Sequence, residues 1–182
     1  MSILKVACMG HPVLRTKSRP VAPGDIPSHH IQRLIDDLFE TMEEYHGIGL
    51  AAPQVHHSLR IFVAGISLEP GAVPDDEAGM PRVALINPEI TPAGRSIVDG
   101  WEGCLSIPDI RGRVPRAETV RVTGYDRTGA PVDATISGLP ARVVQHETDH
   151  LDGILFFDRM QSFETLSYLE EYRRYWARDD DD

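Results

Sequence analysis

The sequence His-Glu-Thr-Asp-His at 146–150 limits the fold of this chain more than any other feature. Residues four apart lie on one face of an α-helix, so His146 and His150 can converge on one metal ion. Glu147 lies one position around the helix, where it can accept a proton from water without binding the metal. The apolar residues on both sides of the motif indicate a buried helix, in which the polar cluster would need partners. The motif therefore predicts a catalytic metal site on a central helix.

A site of this kind has three protein ligands and one open position, so a third ligand is needed. A metzincin would have a histidine at position 156, where this chain has Phe156. A thermolysin-like peptidase would use a glutamate further along the chain, and Glu170 lies at a suitable distance. Cys104 offers a thiolate in a glycine-containing segment. The residues alone leave three hypotheses: a hydrolase using Cys104, a peptidase using Glu170, and a non-catalytic structural zinc site.

Hydrophobic periodicity predicts three helices. The first has Ser28 as its N-cap and Gly47 as its stop, with apolar residues recurring at i, i+3, i+4 and i+7: Ile31, Leu34, Ile35, Leu38, Met42 and Tyr45. The second runs over about 139–152, carries the motif and is followed by Gly153. The third starts near Ser162, and its apolar stripe predicts core packing: Phe163, Leu166, Leu169, Tyr172 and Trp176.

Short runs of β-branched residues predict strands at 59–66, 83–86, 118–125 and 132–137, the last two joined by a turn at 126–129. A stretch rich in Pro, Gly and Asp at 67–81 predicts a surface loop. Strands around one central helix, without regular β-α alternation, favour an α+β fold. We expect mainly antiparallel sheets around the metal-binding helix, with an N-terminal and a C-terminal helix.

The charge balance excludes several kinds of partner. The 182 residues include 18 Lys and Arg against 28 Asp and Glu, a formal net charge of −10. This charge argues against binding of nucleic acid or an anionic membrane by the domain as a whole. The four consecutive aspartates at 179–182 predict a solvated, disordered acidic tail, which leaves 1–178 as a single catalytic domain.

Cysteine usage predicts the compartment. Cys8 and Cys104 are too few for a disulfide framework, which favours a reducing cytoplasm. Cys8 is expected to be a small buried residue. No apolar stretch approaches the roughly 20 residues of a membrane span.

Three separated motifs resemble the peptide deformylase family. They are GIGLAAPQ at 47–54, EGCLS at 102–106 and QHETDHLDG at 145–153, in the order that the family has. The resemblance extends over about residues 5–165 and favours Cys104 over Glu170 as the third ligand. It implies a metal-dependent hydrolase that removes the N-formyl group from the N-terminal methionine of newly made polypeptides and releases formate.

The resemblance also implies roles for the residues at the reaction centre. The implied metal ligands are Cys104, His146 and His150. The nucleophile would be the metal-bound water, with Glu147 as general base and then general acid. The side chain of Gln54 and the backbone N–H of Leu105 would donate hydrogen bonds to the formyl oxygen.

The implied substrate-binding residues are Gly47, Ile48, Gly49, Glu102, Gly103, Arg111, Leu139 and Val143. In the family, the glycine-rich segment pairs with the substrate backbone like an added strand. Ile48, Leu139 and Val143 would line the methionine pocket, and Arg111 would lie near the far end of the substrate. Glu102 would anchor the loop or support a metal ligand.

One thiolate and two imidazoles suit Fe²⁺, Zn²⁺, Ni²⁺ or Co²⁺, and the resemblance implies one ion per chain, natively Fe²⁺. The expected partners are N-formylmethionyl nascent chains, which bring the enzyme transiently close to the ribosome. The segment 161–182 has three arginines against seven acidic residues. We therefore expect only weak, salt-sensitive ribosome contact, and no direct binding of nucleic acid or membrane.

Overall fold

The computed structural model describes residues 2–68 and 81–177. Its helices are α1 (His29–Glu44), α2 (Gly138–Leu151) and α3 (Leu169–Tyr175). Its strands are β1 (Gly49–Ala51), β2 (Ile61–Gly65), β3 (Arg82–Pro92), β4 (Ile97–Cys104), β5 (Ile107–Ala117), β6 (Thr119–Tyr125), β7 (Pro131–Ser137) and β8 (Ser167–Tyr168). Short 3₁₀ helices lie at Pro12–Arg15, Pro23–Asp25, Ala52–Val55 and Phe156–Arg159.

The strands form two antiparallel sheets, and the predicted α+β class is confirmed. One sheet has the order β1-β2-β3-β6-β7, and the other has the order β4-β5-β8. Strands β4 and β5 form a long hairpin in which Glu102 pairs with Gly112. Its tight end pairs Cys104 with Ile107, after a shift of register at Gly103. The hairpin therefore carries Cys104 at its tip.

The predicted N-cap of α1 and its apolar stripe up to Met42 are confirmed, whereas Tyr45, the last residue of the predicted stripe, lies after the helix and is exposed. The Ser28 hydroxyl accepts a hydrogen bond from the backbone N–H of Ile31, and this satisfies one of the free donors of the first turn. The predicted apolar stripe from Ile31 to Met42 is buried. The helix was predicted to stop at Gly47, but the left-handed residue that ends it is His46, at φ +55°. The backbone N–H of Gly47 donates to the carbonyl of Met42.

Helix α2 lies between the two sheets. Its apolar face packs on the five-stranded sheet in one hydrophobic cluster that includes Ala141, Val143, Val144 and Leu151 with Phe62, Leu85 and Val122. Burial of each large apolar side chain stabilises the fold by roughly 1.5–3 kcal/mol. The opposite face presents His146 and His150 to the β4–β5 hairpin. The helix is thus fixed by its apolar face while its polar face forms the site.

The strand predictions match every strand of the five-stranded sheet except β1, and no strand of the other sheet was predicted. The runs at 59–66, 83–86, 118–125 and 132–137 correspond to β2, β3, β6 and β7, and the turn at 126–129 joins the last two. Strands β4 and β5 have no matching prediction. Their inner face carries charged side chains, such as Glu102 and Arg116, where a strand signal requires apolar residues.

The prediction for the C-terminal segment is wrong in extent and in packing. Residues from Ser162 are not helical as predicted, because Ser167 and Tyr168 pair with β5, and the helix begins only at Leu169. Phe163 is 66% exposed, so the stripe does not form core. Trp176 instead contacts Trp101 of β4 with ring centroids 5.9 Å apart.

Cys8 is exposed, so its prediction as a buried residue is wrong. Of the loop predicted at 67–81, residues 69–80 lie outside the described residues. No helix in the described part of the chain is long and apolar enough to cross a membrane.

The end of α2 yields a stability prediction. Gly153 has φ +74°, and a Cβ there would lie 2.8 Å from the carbonyl carbon of Arg15. We expect Gly153→Ala to lower the free energy of unfolding by at least about 1–2 kcal/mol, the cost of a left-handed residue with a side chain. Urea unfolding measures this change. In Gly94→Ala, whose added Cβ would meet no atom within 4 Å, stability should change by less than about 0.5 kcal/mol. Equal effects of the two substitutions would contradict the prediction.

Candidate metal centre

The structure brings the three predicted ligands together. The ligand atoms of Cys104, His146 and His150 lie within 4.8 Å of one another, and within the described residues no other group of three His, Cys, Asp or Glu is as close. The Cys104 Sγ lies 3.2 Å from the His150 Nε2. Helix α2 supplies both histidines from one face, and the tip of the β4–β5 hairpin supplies the cysteine.

The donor set fits a borderline divalent metal. One sulfur and two imidazole nitrogens are the ligands that Zn²⁺, Fe²⁺, Co²⁺ and Ni²⁺ accept, and three protein ligands leave a position open for water or substrate. Burial opposes ionisation of the Cys104 thiol, but the neighbouring His150 and His146 outweigh it and lower the Cys104 pKa well below the ordinary value. The thiolate that results is the form that binds metals.

A buried carboxylate orients His146. Glu102 is 6% exposed, and its Oε2 accepts a hydrogen bond from the His146 Nδ1 at 2.9 Å. Because a carboxylate only accepts, the Nδ1 carries the hydrogen, and the Nε2 lone pair is left for a metal. Burial acts to raise the Glu102 pKa, but hydrogen bonds from His146 and Arg116 outweigh it, so the pKa lies far below its usual range. Glu102 is thereby held as a carboxylate.

Arginines neutralise this carboxylate and connect it to α2. The Arg116 Nε and Nη2 donate to the two Glu102 oxygens at 2.9 and 3.0 Å, while its Nη1 donates to the Asp149 Oδ2 at 2.5 Å. The Arg142 Nη1 donates to the Glu102 Oε1 at 2.8 Å. Arg159 donates to the other oxygen of Asp149. The chain of ion pairs joins the middle of the hairpin to both ends of the metal-binding helix.

Glu147 lies beside the ligands, and one of its carboxylate oxygens is unsatisfied within the described part of the chain. It is 4% exposed, and its Oε2 has no hydrogen-bond partner among the described residues. Burial raises the pKa of its carboxyl to about 7. A side chain at Gly49 would collide with this carboxylate, so the glycine makes room for it. An unsatisfied buried carboxylate of this kind needs a ligand or water to accept from.

Gln54 reaches the same centre from the 3₁₀ helix Ala52–Val55. Its Oε1 accepts from the Ala51 N–H at 2.8 Å, which fixes which side of the amide carries the NH₂ group. Its Nε2 lies 3.2 Å from the Ser106 Oγ and 3.6 Å from the Cys104 Sγ. Gln54 is 2% exposed. The amide therefore presents donors to the space beside Cys104.

The remaining predicted residues surround this centre at different depths. Leu105 is half-buried, and a Cβ at Gly47 would lie 2.8 Å from its Cδ1. The Arg111 guanidinium lies over Gly103, which has no side chain to obstruct it. Of the residues predicted to line a methionine pocket, Ile48 and Leu139 are exposed, and Val143 is buried in the core. Strand β1 is an edge strand, with β2 as its only strand neighbour within the described residues.

Sequence reasoning missed several residues of the site: Gly100, Ser106, Arg116, Arg142 and Asp149. The signal for the arginines was present, because Arg116 and Arg142 lie between apolar residues of segments that must be buried. Such arginines are paired when they are buried. Glu170 is exposed on α3, lines a surface cavity of about 540 Å³, and does not belong to the ligand group. Its position rules out the alternative with Glu170 as third ligand.

Comparisons with known proteins agree on one family. The family model described as "Polypeptide deformylase" matches residues 3–165. Peptide deformylase 2 of Pseudomonas putida is 44% identical over 162 residues, which cover 89% of this chain and 90% of that protein. A Met-Ala-Ser-bound crystal structure of the class I type b peptide deformylase from Acinetobacter baumannii is 39% identical, with a TM-score of 0.78, and the match covers 87% of this chain and 99% of that one. The crystal structure of peptide deformylase from Thermotoga maritima is 35% identical, with a TM-score of 0.77, over 89% of this chain and 100% of that one.

The buried ion pairs yield a second stability prediction. Arg116→Met removes three buried, charge-assisted hydrogen bonds and leaves Arg142 as the remaining arginine partner of Glu102 and Arg159 as that of Asp149, so we expect a loss of about 3–5 kcal/mol of unfolding free energy. Chemical denaturation of the metal-free protein measures the loss. Arg121→Met is the matched control, since the Arg121–Asp133 pair is exposed on β6 and β7 and is expected to change stability little. A loss in Arg116→Met no larger than in the control would contradict the prediction.

Proposed function

This chain belongs to the peptide deformylase family, and from that premise we propose the part that each residue takes in the reaction. The reaction of the family is removal of the N-formyl group from N-terminal formylmethionine, with release of formate, and this chain is a metal-dependent amidohydrolase of that kind. The observation that carries this conclusion is the cluster of Cys104, His146 and His150, beside which the Glu147 Oε2 has no hydrogen-bond partner among the described residues.

We propose that Cys104, His146 and His150 hold one divalent ion. Such an ion supplies a Lewis acid that brings the pKa of a bound water close to neutrality. The proposed native ion is Fe²⁺, and Zn²⁺, Ni²⁺ or Co²⁺ would be accepted by the same donor set. A purely structural zinc site would need a fourth protein ligand, and Cys8, the other cysteine, is exposed and outside the ligand group.

Glu147 is the proposed general base and acid. It accepts a proton as the water oxygen bonds to the formyl carbon, and it returns that proton to the methionine nitrogen as the C–N bond breaks. Formate and a free amine result. Its burial and its unpartnered Oε2 support this role, because a reacting water can satisfy the oxygen.

Gln54 and Leu105 are proposed to stabilise the charge that develops on the formyl oxygen. The Gln54 Nε2 is a donor from the 3₁₀ helix Ala52–Val55, and the backbone N–H of Leu105 is a donor from the tip of the β4–β5 hairpin, next to Cys104. The backbone N–H of Ala7 donates to the Gln54 carbonyl, and that of Met9 donates to the Ser106 carbonyl. One N-terminal segment is therefore bound to both donor-bearing segments. Donors held in this way need no reorganisation during the reaction.

The substrate is proposed to add to the edge of the five-stranded sheet. Strand β1 starts at Gly49, and an extended peptide can pair with the segment from Gly47 to Gly49. Ile48, Leu139 and Val143 are the proposed contacts of the methionine side chain. Further binding contacts are proposed for Gly103 and Arg111, and Glu102 is proposed to support this region through its hydrogen bond with His146. The Met-Ala-Ser bound by the Acinetobacter baumannii relative supports a short peptide that begins with methionine as the ligand.

The proposed partners are formylated nascent chains, which places the enzyme in the cytoplasm with transient proximity to the ribosome. The acidic balance of the chain supports weak ribosome contact and no direct binding of nucleic acid or membrane. We also propose that residues 1–178 act as one catalytic domain and that the aspartates at 179–182 take no part in the chemistry. Residues 178–182 lie outside the described residues.

The deciding experiment measures formate release from formyl-Met-Ala-Ser by anaerobically prepared protein. We expect Glu147→Gln to lower kcat by about 10²–10⁴-fold, because the proton acceptor is lost while the ligands remain. Metal analysis should still find one ion per chain. Glu170→Gln is the control and should keep both activity and metal. Wild-type turnover in Glu147→Gln, or no cleavage by wild-type protein with any of the four metals, would contradict the proposal.

The role of Gln54 is tested with its neighbour Ser106. We expect Gln54→Ala to lower kcat by about 10²–10³-fold with little change in KM, as for loss of one oxyanion donor. Ser106→Ala should lower kcat less, because it only frees the Gln54 amide to rotate. In the double variant the two effects should not add, since Ser106 acts through Gln54. Additive effects would assign Ser106 an independent role.

A further inference from the structure

Helix α2 and strand β4 meet as a ladder of three side-chain pairs. Along the helix, Arg142, His146 and His150 are four residues apart. Along the strand, the partners Gly100, Glu102 and Cys104 are two residues apart. His150 lies against Cys104 and His146 against Glu102. The Arg142 guanidinium lies against Gly100.

The two repeats match in length. Four helical residues rise about 6 Å, and two residues of an antiparallel strand rise about 6.8 Å. Successive pairs therefore stay in step over three rungs. A slip of one strand residue would turn Glu102 and Cys104 to the opposite face of the sheet. The metal site consequently depends on the axial register of α2 against β4.

Of the three pairs in the ladder, Arg142–Gly100 is the pair without a metal ligand. Its arginine donates hydrogen bonds to three backbone carbonyls. The Arg142 Nη1 donates to the Gly100 carbonyl at 3.3 Å and to the Val114 carbonyl of β5 at 2.8 Å. Its Nη2 donates to the Val98 carbonyl at 2.6 Å. The same Nη1 also reaches Glu102, the partner of the second rung. One guanidinium thus binds both strands of the hairpin and the carboxylate between them.

Gly100 is shaped to this guanidinium. A Cβ at Gly100 would lie 2.8 Å from the Arg142 Cζ and Nη2, and Gly100 is not among the residues with positive φ. The glycine is therefore required by the close approach of Arg142 and not by backbone conformation. The arginine side chain is 14% exposed, so its charge is held between the strands instead of in solvent.

We infer that Arg142 is a positioning residue of the metal centre, which fixes the register of α2 against β4 and so the approach of His146 and His150 to Cys104. This inference rests on the proposed ligand set and goes beyond it, because it assigns the geometry of the site to a pair that binds neither metal nor substrate. The planar fork of arginine can bind several carbonyls at once, whereas the single ammonium of lysine cannot reproduce that fork.

Cobalt binding tests the inference directly. We expect Arg142→Met to bind Co²⁺ about 10–100-fold more weakly than the wild type, in competition with a chelator, as for loss of other outer partners of metal ligands. The thiolate-to-cobalt absorption band should weaken or shift because the Cys104 approach changes. Arg142→Lys should recover part of the affinity. Arg121→Met, an exposed arginine on β6, should leave affinity and spectrum unchanged.

Gly100→Ala provides a second test that keeps the arginine. The added methyl should displace the Arg142 guanidinium and weaken Co²⁺ binding, and in Gly100→Ala/Arg142→Met the two losses should not add. Urea unfolding of the metal-free variants shows how much of each loss is general destabilisation. Unchanged cobalt affinity and spectrum in Arg142→Met or in Gly100→Ala, or additive losses in the double variant, would overturn the inference. Failure of the wild-type chain to bind one Co²⁺ through Cys104 would instead contradict the proposed function.

Discussion

The carboxylate of Glu102 is the group on which the site depends. It is buried at the interface of the hairpin and α2, where it holds the His146 ring and receives hydrogen bonds from Arg116 and Arg142. A buried carboxylate is costly unless its oxygens are satisfied, and here every partner comes from an element that also builds the metal centre. The same interaction therefore sets the tautomer of a ligand and the position of the hairpin. Loss of any one partner removes a hydrogen bond from a buried carboxylate.

The two faces of α2 have different roles: the apolar face stabilises the fold, and the polar face forms the site. The apolar face is buried on the five-stranded sheet, and this burial stabilises the helix without help from the polar side. The polar face can then hold two histidines, an arginine and a glutamate with one oxygen unsatisfied among the described residues. Because the sheet fixes the helix, the 3₁₀ helix that bears Gln54 and the hairpin tip that bears Cys104 pack against a rigid element.

The sequence predicts two of the three metal ligands directly and misses the strands that carry the third. The spacing of His146 and His150 was sufficient to predict their convergence, because a helix places residues four apart on one face. The third ligand could not be predicted in this way. The chemistry of the residues allowed either Cys104 or Glu170 as the third ligand, and only the resemblance favoured Cys104. The structure excludes Glu170 because α3 begins late and lies on the surface, after Ser167 and Tyr168 join β5. Strands β4 and β5 escaped prediction because their inner face is charged, and a hydrophobic pattern cannot report a strand that packs on ion pairs.

By itself, the sequence determined the local features of this protein: the capped α1, the helix that carries the metal motif, the glycine that follows that helix and four strands of the five-stranded sheet. Each of these depends on neighbours within a few turns of chain. Only the tertiary structure decided that Arg142 lies against Gly100, that Arg116 bridges Glu102 and Asp149, and that Cys8 is exposed. These contacts join segments far apart in the chain, so they are set by how the hairpin packs on α2, and no local pattern of residues encodes them.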